Sequence, residues 1–574
     1  MSSLSTPDTP NSISEAAADA RRSASAASHT AAVKRRERAA QWHLLFLAVV
    51  VLGPLVIYPL VRLVLLSFTG PHGLSLQAYS AFFGNPETRG VVGTTLWILC
   101  VSAGLASLLG IGLASLLFFK PFPGARMVTR FLELFVAFPS FLVAFTLIFL
   151  YGSQGSVSIA LQQLFHLEAP PLNFLFGVGG VILAEVVFYA PFVVRPTLAS
   201  FATLDMRLIE AARSLGASGW MVAFKVILPL AWPGIAAGTI LCFLLTLNEF
   251  GILLVLGSAH LITLPVAIYS SATVDLDLPT AAAGAVVMLI MSLSLYALYR
   301  QVNRRKVKGA AMAVELDPTV LPVMHKKARP VRRSLPVRIL GSLFLGFAAL
   351  LCFWLFVLPV LVVALSSVAG HWSGTILPDS LSTRWFERLG SSDFDALTTS
   401  LGIGMGVAVL GTILGLWLAL ALEGRDRRGL GAFVDTIAMM PNGVPSVVLG
   451  LAVLIAYHKR PLDLSSSAAI VVFVQLALVL PFCYRCAAAA LRPELTILRE
   501  AAASLGAPPS MVLRRVVLPQ LVPAIRASLA LGFALSLGEL GARSPYTRQA
   551  LRRCRSWWSG RWSAGITCRP PRCR

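Results

Sequence analysis

Residues 210–229 read EAARSLGASGWMVAFKVILP, and residues 500–519 read EAAASLGAPPSMVLRRVVLP. Glu210 aligns with Glu500, Gly216 with Gly506 and Leu228-Pro229 with Leu518-Pro519, always at the same offset of 290 (500 − 210). Both blocks are polar interruptions between long apolar runs, so hydrophobic composition alone does not produce the match. Repetition on this scale in an apolar chain signals two structurally equivalent halves around a shared path.

The surroundings of the blocks set the class. Of 574 residues, 56% are apolar and 13% charged, with a mean hydropathy of +0.77. A soluble domain carries about 25% charged residues. Apolar runs of ~20 residues or more recur, enough for a helix to cross a hydrocarbon core of about 30 Å. Segments facing lipid must satisfy their own backbone hydrogen bonds, and the alternation of a membrane barrel is missing, so the runs predict helices. They fall at 42–68, 91–119, 131–151, 174–201, 230–256 and 280–300, then at 337–368, 397–422, 432–457, 466–491 and 521–540. The expected fold is an all-α polytopic membrane protein. It has two parallel homologous units, the first of six helices and the second truncated to five.

Loop charges orient the chain. The first 40 residues are rich in Ser and Ala and carry Arg21, Arg22, Lys34, Arg35, Arg36 and Arg38, the composition of a disordered cytoplasmic segment. No signal-peptide cleavage pattern follows. Loop 120–130 is basic, loop 152–173 has no Lys or Arg, and loop 257–279 carries Asp275 and Asp277. The connector 301–336 is strongly basic, and Arg425, Arg427 and Arg428 mark another basic loop. The positive-inside rule then places the N-terminus, the connector and both repeated blocks in the cytoplasm. The net charge of +22 is mostly this topology plus a basic tail, and nucleic acid is not an expected partner. The expected domains are a basic N-terminus (1–40), a first membrane unit (41–300), the connector (301–336), an incomplete second membrane unit (337–542) and an Arg-rich tail (543–574).

Within each block, Glu-Ala-Ala reads as the start of a short helix whose two small residues let another protein approach the backbone. Gly216 and Gly506 are placed to end that helix in the left-handed conformation. Pro229 and Pro519 read as helix starts leading back into the membrane. The blocks resemble the EAA loop of the membrane subunits of bacterial ABC importers. The resemblance runs from about residue 42 to 541 and implies two permease domains fused in one chain. It implies coupling helices that dock on a cytoplasmic ATPase through Glu210, Ala211, Ala212 and Gly216, and through Glu500, Ala501, Ala502 and Gly506. The implied partners are two ABC ATPase subunits, a periplasmic substrate-binding protein, a small-molecule substrate and membrane lipid. The implied location is the bacterial inner membrane, with many spans. Residues 131–155, 179–201 and 244–270 further resemble permeases for 2-aminoethylphosphonate uptake, and ferric-iron importers of similar fused architecture are the alternative. The chain lacks a G-x-x-x-x-G-K-[ST] phosphate loop, so ATP is expected to be used by the partner and no cofactor by this chain. The implied mechanism is alternating access driven by the ATPase.

Polar residues inside the apolar runs are candidates for the substrate path, because a charge in the bilayer is costly. Glu249 and Glu539 are equivalent at the 290 offset, Asn248 adjoins the first, and Glu185 corresponds to Gln475. The competing reading of the glutamates is that they cap or bridge packed helices. Arg195 and Arg485 also correspond and read as side chains snorkelling to the interface. Of eight cysteines, Cys483 and Cys486 form a C-x-x-C without a second pair or nearby His, so no metal site is expected. No catalytic constellation is evident, and an enzyme is not expected. A secondary transporter with inverted repeats is the other functional class. Against it, the 290 offset joins loops on one side of the membrane.

The C-terminus departs from the repeat. From Arg543 to Arg574 the chain has nine Arg, three Trp and three Cys, with no Lys, Asp or Glu. Arginines following an outward-going helix oppose the positive-inside rule. The expectation is a shifted reading frame near residue 543, with a basic lipid-binding tail as the alternative.

Overall fold

The computed structural model describes Trp42 and residues 46–539, except 71–72, 120–124, 136–137, 258–260, 308–345, 347–348, 373–374, 424–428, 459–463, 465–466 and 492. The 1–40 segment, most of the 301–336 connector, the arginines at 425, 427 and 428, and the tail from 543 with Cys554, Cys568 and Cys573 lie outside the described residues.

Among the described residues, ten helices are long and apolar enough to cross a membrane. Six lie in the first half: Val49–Ser67, Pro86–Phe119, Ser140–Leu164, Val178–Ala202, Gly219–Leu247 and Leu278–Val302. Four lie in the second: Ala349–Val368, Asp393–Leu422, Ala469–Ala490 and Ser510–Gly538. A broken eleventh span, Leu430–Gly443 with Ser446–Tyr457, bends by 109°. With that bent pair counted as one span, the described residues hold the expected six and five. Large apolar side chains such as Leu108, Ile290 and Ile413 are exposed, as suits helices whose solvent is lipid.

Several expected spans are corrected by backbone chemistry. The 131–151 run is two helices, Ala125–Phe135 and Ser140–Tyr151, the second entered through an extended Pro139. The 432–457 run breaks where Pro441, Gly443 and Pro445 cluster. The 230–256 run stops at Leu247 and restarts at Gly251. Helix Pro86–Phe119 begins before residue 91, with a proline on its first turn. Hydropathy detects only the apolar middle of a helix, and it does not register a missing N–H.

Prolines leave a second mark. Tyr58, Leu228, Leu358 and Leu518 each precede a proline, and each donates its N–H five residues back, to Gly53, Ala223, Phe353 and Leu513. Proline has no N–H and its ring strikes the carbonyl four residues back; a π turn relieves that clash without ending the helix. Pro229 and Pro519 therefore sit inside the continuous runs Gly219–Leu247 and Ser510–Gly538, not at the helix starts expected from sequence.

The two halves exchange their first helices. Tyr58–Ser67 packs on Ser446–Tyr457, and Leu358–Val368 packs on Ser140–Tyr151. Each main apolar core consequently draws on both halves: one joins Leu63 and Leu264 to Val448 and Leu480, the other joins Val143 and Val194 to Cys352 and Phe356. Tyr457 closes one junction by donating to the Pro54 carbonyl at 2.8 Å. That carbonyl needs an outside donor, because Tyr58 is bonded to Gly53 and Pro59 has no N–H to offer. The halves also repeat one tight crossing. A Cβ on Gly110 would meet the Ala190 carbonyl at 2.7 Å, and one on Gly415 would meet the Tyr484 nitrogen at 2.7 Å. Glycine there lets helix backbones touch.

Candidate functional site

The repeated blocks fold alike. In the first, Asp205 caps helix Met206–Ser214 by accepting from the Arg207 N–H at 3.0 Å. Glu210, Ala211 and Ala212 lie in the later half of this helix, not at its start as expected. The same correction applies to Glu500, Ala501 and Ala502 in helix Pro493–Ser504. The predicted glycine stop is present in both copies: φ is +84° at Gly216 and +80° at Gly506. The Ala217 N–H reaches the Ala212 carbonyl at 3.1 Å and the Ala507 N–H reaches the Ala502 carbonyl at 3.1 Å, the closing bond of a Schellman cap.

Beyond the cap the chain turns at once into the next helix. Ser218 accepts from the Met221 N–H at 3.3 Å in the first copy, while Pro508 and Pro509 fill the corresponding positions in the second. Val222 and its equivalent Val512 are buried and anchor the two turns. The second copy is further tied down by Arg499, which donates to Glu423 at the C-terminal end of helix Ser391–Leu422. What remains outside is apolar at both sites: Leu215 is 89% and Leu505 88% exposed, and Trp220, Met221, Leu498 and Met511 are also exposed. Glu210 and Glu500 are exposed beside them. Two separate caps thus present matching apolar knobs with small residues behind them, a surface suited to receiving a partner protein.

The intramembrane candidates form two groups. Glu249 is buried in the break between Leu247 and Gly251. Its Oε1 accepts from Ser140 Oγ at 3.0 Å and from the Ile252 N–H at 2.8 Å, and its Oε2 accepts from the Tyr189 hydroxyl. It therefore caps the helix that follows the break and bridges two others. Asn248 accepts from Ser292 Oγ at 3.2 Å. Glu185 is 1% exposed, and its Oε2 has no hydrogen-bond partner. In the second half, Gln475 and Ser536 satisfy each other: Ser536 Oγ donates to Oε1 at 2.5 Å, and Nε2 donates to the Ser536 carbonyl at 3.2 Å. Glu539 caps the C-terminus of helix Leu518–Gly538 and is half-buried.

The groups approach each other at one place. A Cβ on Gly538 would lie 3.8 Å from Pro139 Cγ, so Glu539 and the Ser140-bound Glu249 flank the Pro139 break from opposite halves. Gln475 and Asn248 are held within their own halves. Arg195 and Arg485 are exposed partway along their helices. Cys483 and Cys486 are free thiols. Sequence reading missed Ser140, Tyr189, Ser292 and Ser536. Two signals were present: Tyr189 lies one helical turn after Glu185, and the Pro-Ser pairs at 139–140 and 445–446 both open a helix ending in Tyr.

Residues 106–308 and 411–542, together more than half of the chain, match the family described as binding-protein-dependent transport system inner membrane component. A Salmonella paratyphi A protein provisionally named 2-aminoethylphosphonate transport system permease protein PhnU is 38% identical over 257 residues, 45% of this chain and 89% of that protein. A Salmonella typhimurium protein provisionally named 2-aminoethylphosphonate transport system permease protein PhnV is 34% identical over 196 residues, 34% of this chain and 73% of that protein. Among solved structures, a bacterial ABC transporter involved in the import of the acidic polysaccharide alginate aligns at 18% identity with a TM-score of 0.38, covering 45% of this chain and 92% of that one, a likeness too low to carry an argument.

Proposed function

Because the chain belongs to the family of binding-protein-dependent transport system inner membrane components, we propose that it is a membrane subunit of an ATP-driven importer that carries both permease halves in one polypeptide. The observation that carries the reading is the pair of loops with one geometry. Each ends a helix at a left-handed glycine, leaves the first alanine of its pair and a leucine exposed, and runs without interruption into a membrane helix. A push on such a loop moves a membrane-crossing rod.

Two cytoplasmic ATPase subunits take these loops, one each, through Glu210, Ala211, Ala212 and Gly216 and through Glu500, Ala501, Ala502 and Gly506. The lysine and arginine distribution puts the N-terminus and both loops on the cytoplasmic side. A periplasmic binding protein delivers substrate on the other. ATP is bound and hydrolysed by the partner. When the ATPase dimer closes, the loops approach and the halves re-orient about the junction at Pro139, Glu249 and Glu539. The exchange of first helices makes that re-orientation one concerted event, since neither core moves without helices from both halves.

The relatives' names favour 2-aminoethylphosphonate as cargo. This small zwitterion needs a carboxylate for its ammonium and donors for its phosphonate. Glu539 and Glu249 are the carboxylates at the junction, with Asn248 beside the second, while Glu185 and Gln475 stand back from it within their own halves. Uptake of radiolabelled 2-aminoethylphosphonate by cells expressing the chain with its neighbouring ATPase and binding protein tests the reading. Uptake that stops on ATPase inactivation supports it. Ferric-iron uptake instead keeps the permease and replaces the cargo, and uptake that follows an ion gradient without the ATPase overturns the importer.

A further inference from the structure

A second feature of the first half belongs neither to the loops nor to the junction. A cavity lined by Thr95, Leu99, Glu185, Thr246, Leu253 and Thr263, among others, has room for about one water-sized guest. Every lining residue comes from the first half, so it lies off the path between the halves. Three of its oxygens have no hydrogen-bond partner: Glu185 Oε2, Thr246 Oγ1 and Thr263 Oγ1. Glu185 is 1%, Thr246 5% and Thr263 2% exposed. The third hydroxyl is already committed, since Thr95 donates to the Val91 carbonyl and accepts from the Leu264 N–H at 2.8 Å.

The second half shows what a completed version looks like. Gln475 and Ser536 stand where Glu185 and Thr246 stand, and they bond each other at 2.5 and 3.2 Å. In the first half Glu185 Oε2 and Thr246 Oγ1, at the same two positions, make no such bond to each other, and both residues line a cavity. Held as a carboxylate, Glu185 calls for a partner of positive charge. Glu249 is satisfied by three donors, whereas among the described residues no ion pair is recorded for Glu185. A bare carboxylate at this depth is costly.

We propose that Glu185, Thr246 and Thr263 form a buried site for one monovalent metal cation, of sodium or potassium size. Hard oxygen donors, one of them anionic, suit such an ion, and the space excludes a larger guest. The ion ties helix Val178–Ala202 to Thr246, just before the break at Asn248–Phe250, and to Thr263, which precedes helix Leu264–Thr273. It therefore fixes the broken helix that holds Glu249.

The full chain in lipid nanodiscs, without ATPase or substrate, is sufficient for the test. Thermal unfolding is followed at constant ionic strength in sodium, potassium or choline chloride, alongside binding of radioactive sodium with potassium as competitor. The expected result is a saturable rise of ~2 °C or more with sodium or potassium over choline, and about one ion bound per chain. Glu185→Gln removes both effects, and Thr246→Val weakens both at least tenfold in apparent affinity. If Glu185→Gln does not fold, Thr246→Val alone decides, since it keeps the carboxylate. Equal stability of a monodisperse wild-type chain in all three salts, with no saturable binding, overturns the site and leaves Glu185 as a protonated acid on a trapped water. Neither outcome depends on the importer reading, which the uptake assay tests.

Discussion

Replacing Gly216 and Gly506 separates loop geometry from loop chemistry. Both glycines hold a left-handed backbone, at φ +84° and +80°, and a Cβ on either would meet no atom within 4 Å. Alanine therefore adds no clash, and its only cost is backbone strain, about 1–2 kcal/mol per site. The chain escapes that strain by undoing the last turn of each helix, losing the Ala217-to-Ala212 or Ala507-to-Ala502 bond. At ~1.4 kcal/mol per tenfold, the equilibrium constant for the docking-competent loop over the undone one falls by roughly 5- to 30-fold at each site. The two loops lie on different helices, each capped by its own backbone bond, so Gly216→Ala with Gly506→Ala compounds the losses. Asparagine tolerates this backbone better and should recover most of the loss. The assay is ATPase co-purification and coupled uptake, with thermal stability of the membrane body as control, which should hold because both glycines are exposed. Alanine equal to glycine at both sites, or asparagine as harmful as alanine, refutes the reasoning.

Three further outcomes follow from the packing. Glu249→Ala strips the acceptor from Ser140, Tyr189 and the Ile252 N–H; at ~1 kcal/mol for each donor left in the interior, the chain should lose about 3 kcal/mol and unfold several degrees lower in detergent. Tyr457→Phe removes the outside donor on the Pro54 carbonyl and should cost about 1–2 kcal/mol, read as a lower melting temperature. Gly415→Val pushes a side chain into the Tyr484 backbone and should destabilise by about 1–3 kcal/mol or more, read as a loss of monodisperse protein.

The repeat and the span count were legible because both rest on residue type alone. The block at Glu210 and Glu500 announced two halves, and the apolar runs announced six helices and then five. Gly216 and Gly506 were legible too, since few residues other than glycine end a helix that way. The breaks were harder. Pro139, and the Pro441 and Pro445 pair, lie inside runs whose hydropathy never falls, so a continuous helix was expected at each. The π turns before Pro59, Pro229, Pro359 and Pro519 leave no trace in hydropathy at all. The exchange of first helices is a matter of three-dimensional packing, and nothing local in residues 49–67 names residues 446–457 as their neighbour. Among polar residues, Glu249 was visible as an expensive charge, but its role as a cap depended on Ser140 and Tyr189, distant in sequence. The difference between Glu185 and Gln475 was visible as a substitution, whereas the lack of a partner for one of them was not.

The most direct test of the central claim, that one chain supplies both permease halves and both docking loops, is native mass spectrometry of the complex purified with its ATPase. The account predicts one permease chain with two ATPase subunits, reduced to one by disrupting a single loop with Gly216→Val or Gly506→Val. A complex of two permease chains per ATPase pair, or ATPase binding that survives loss of both loops, would contradict it.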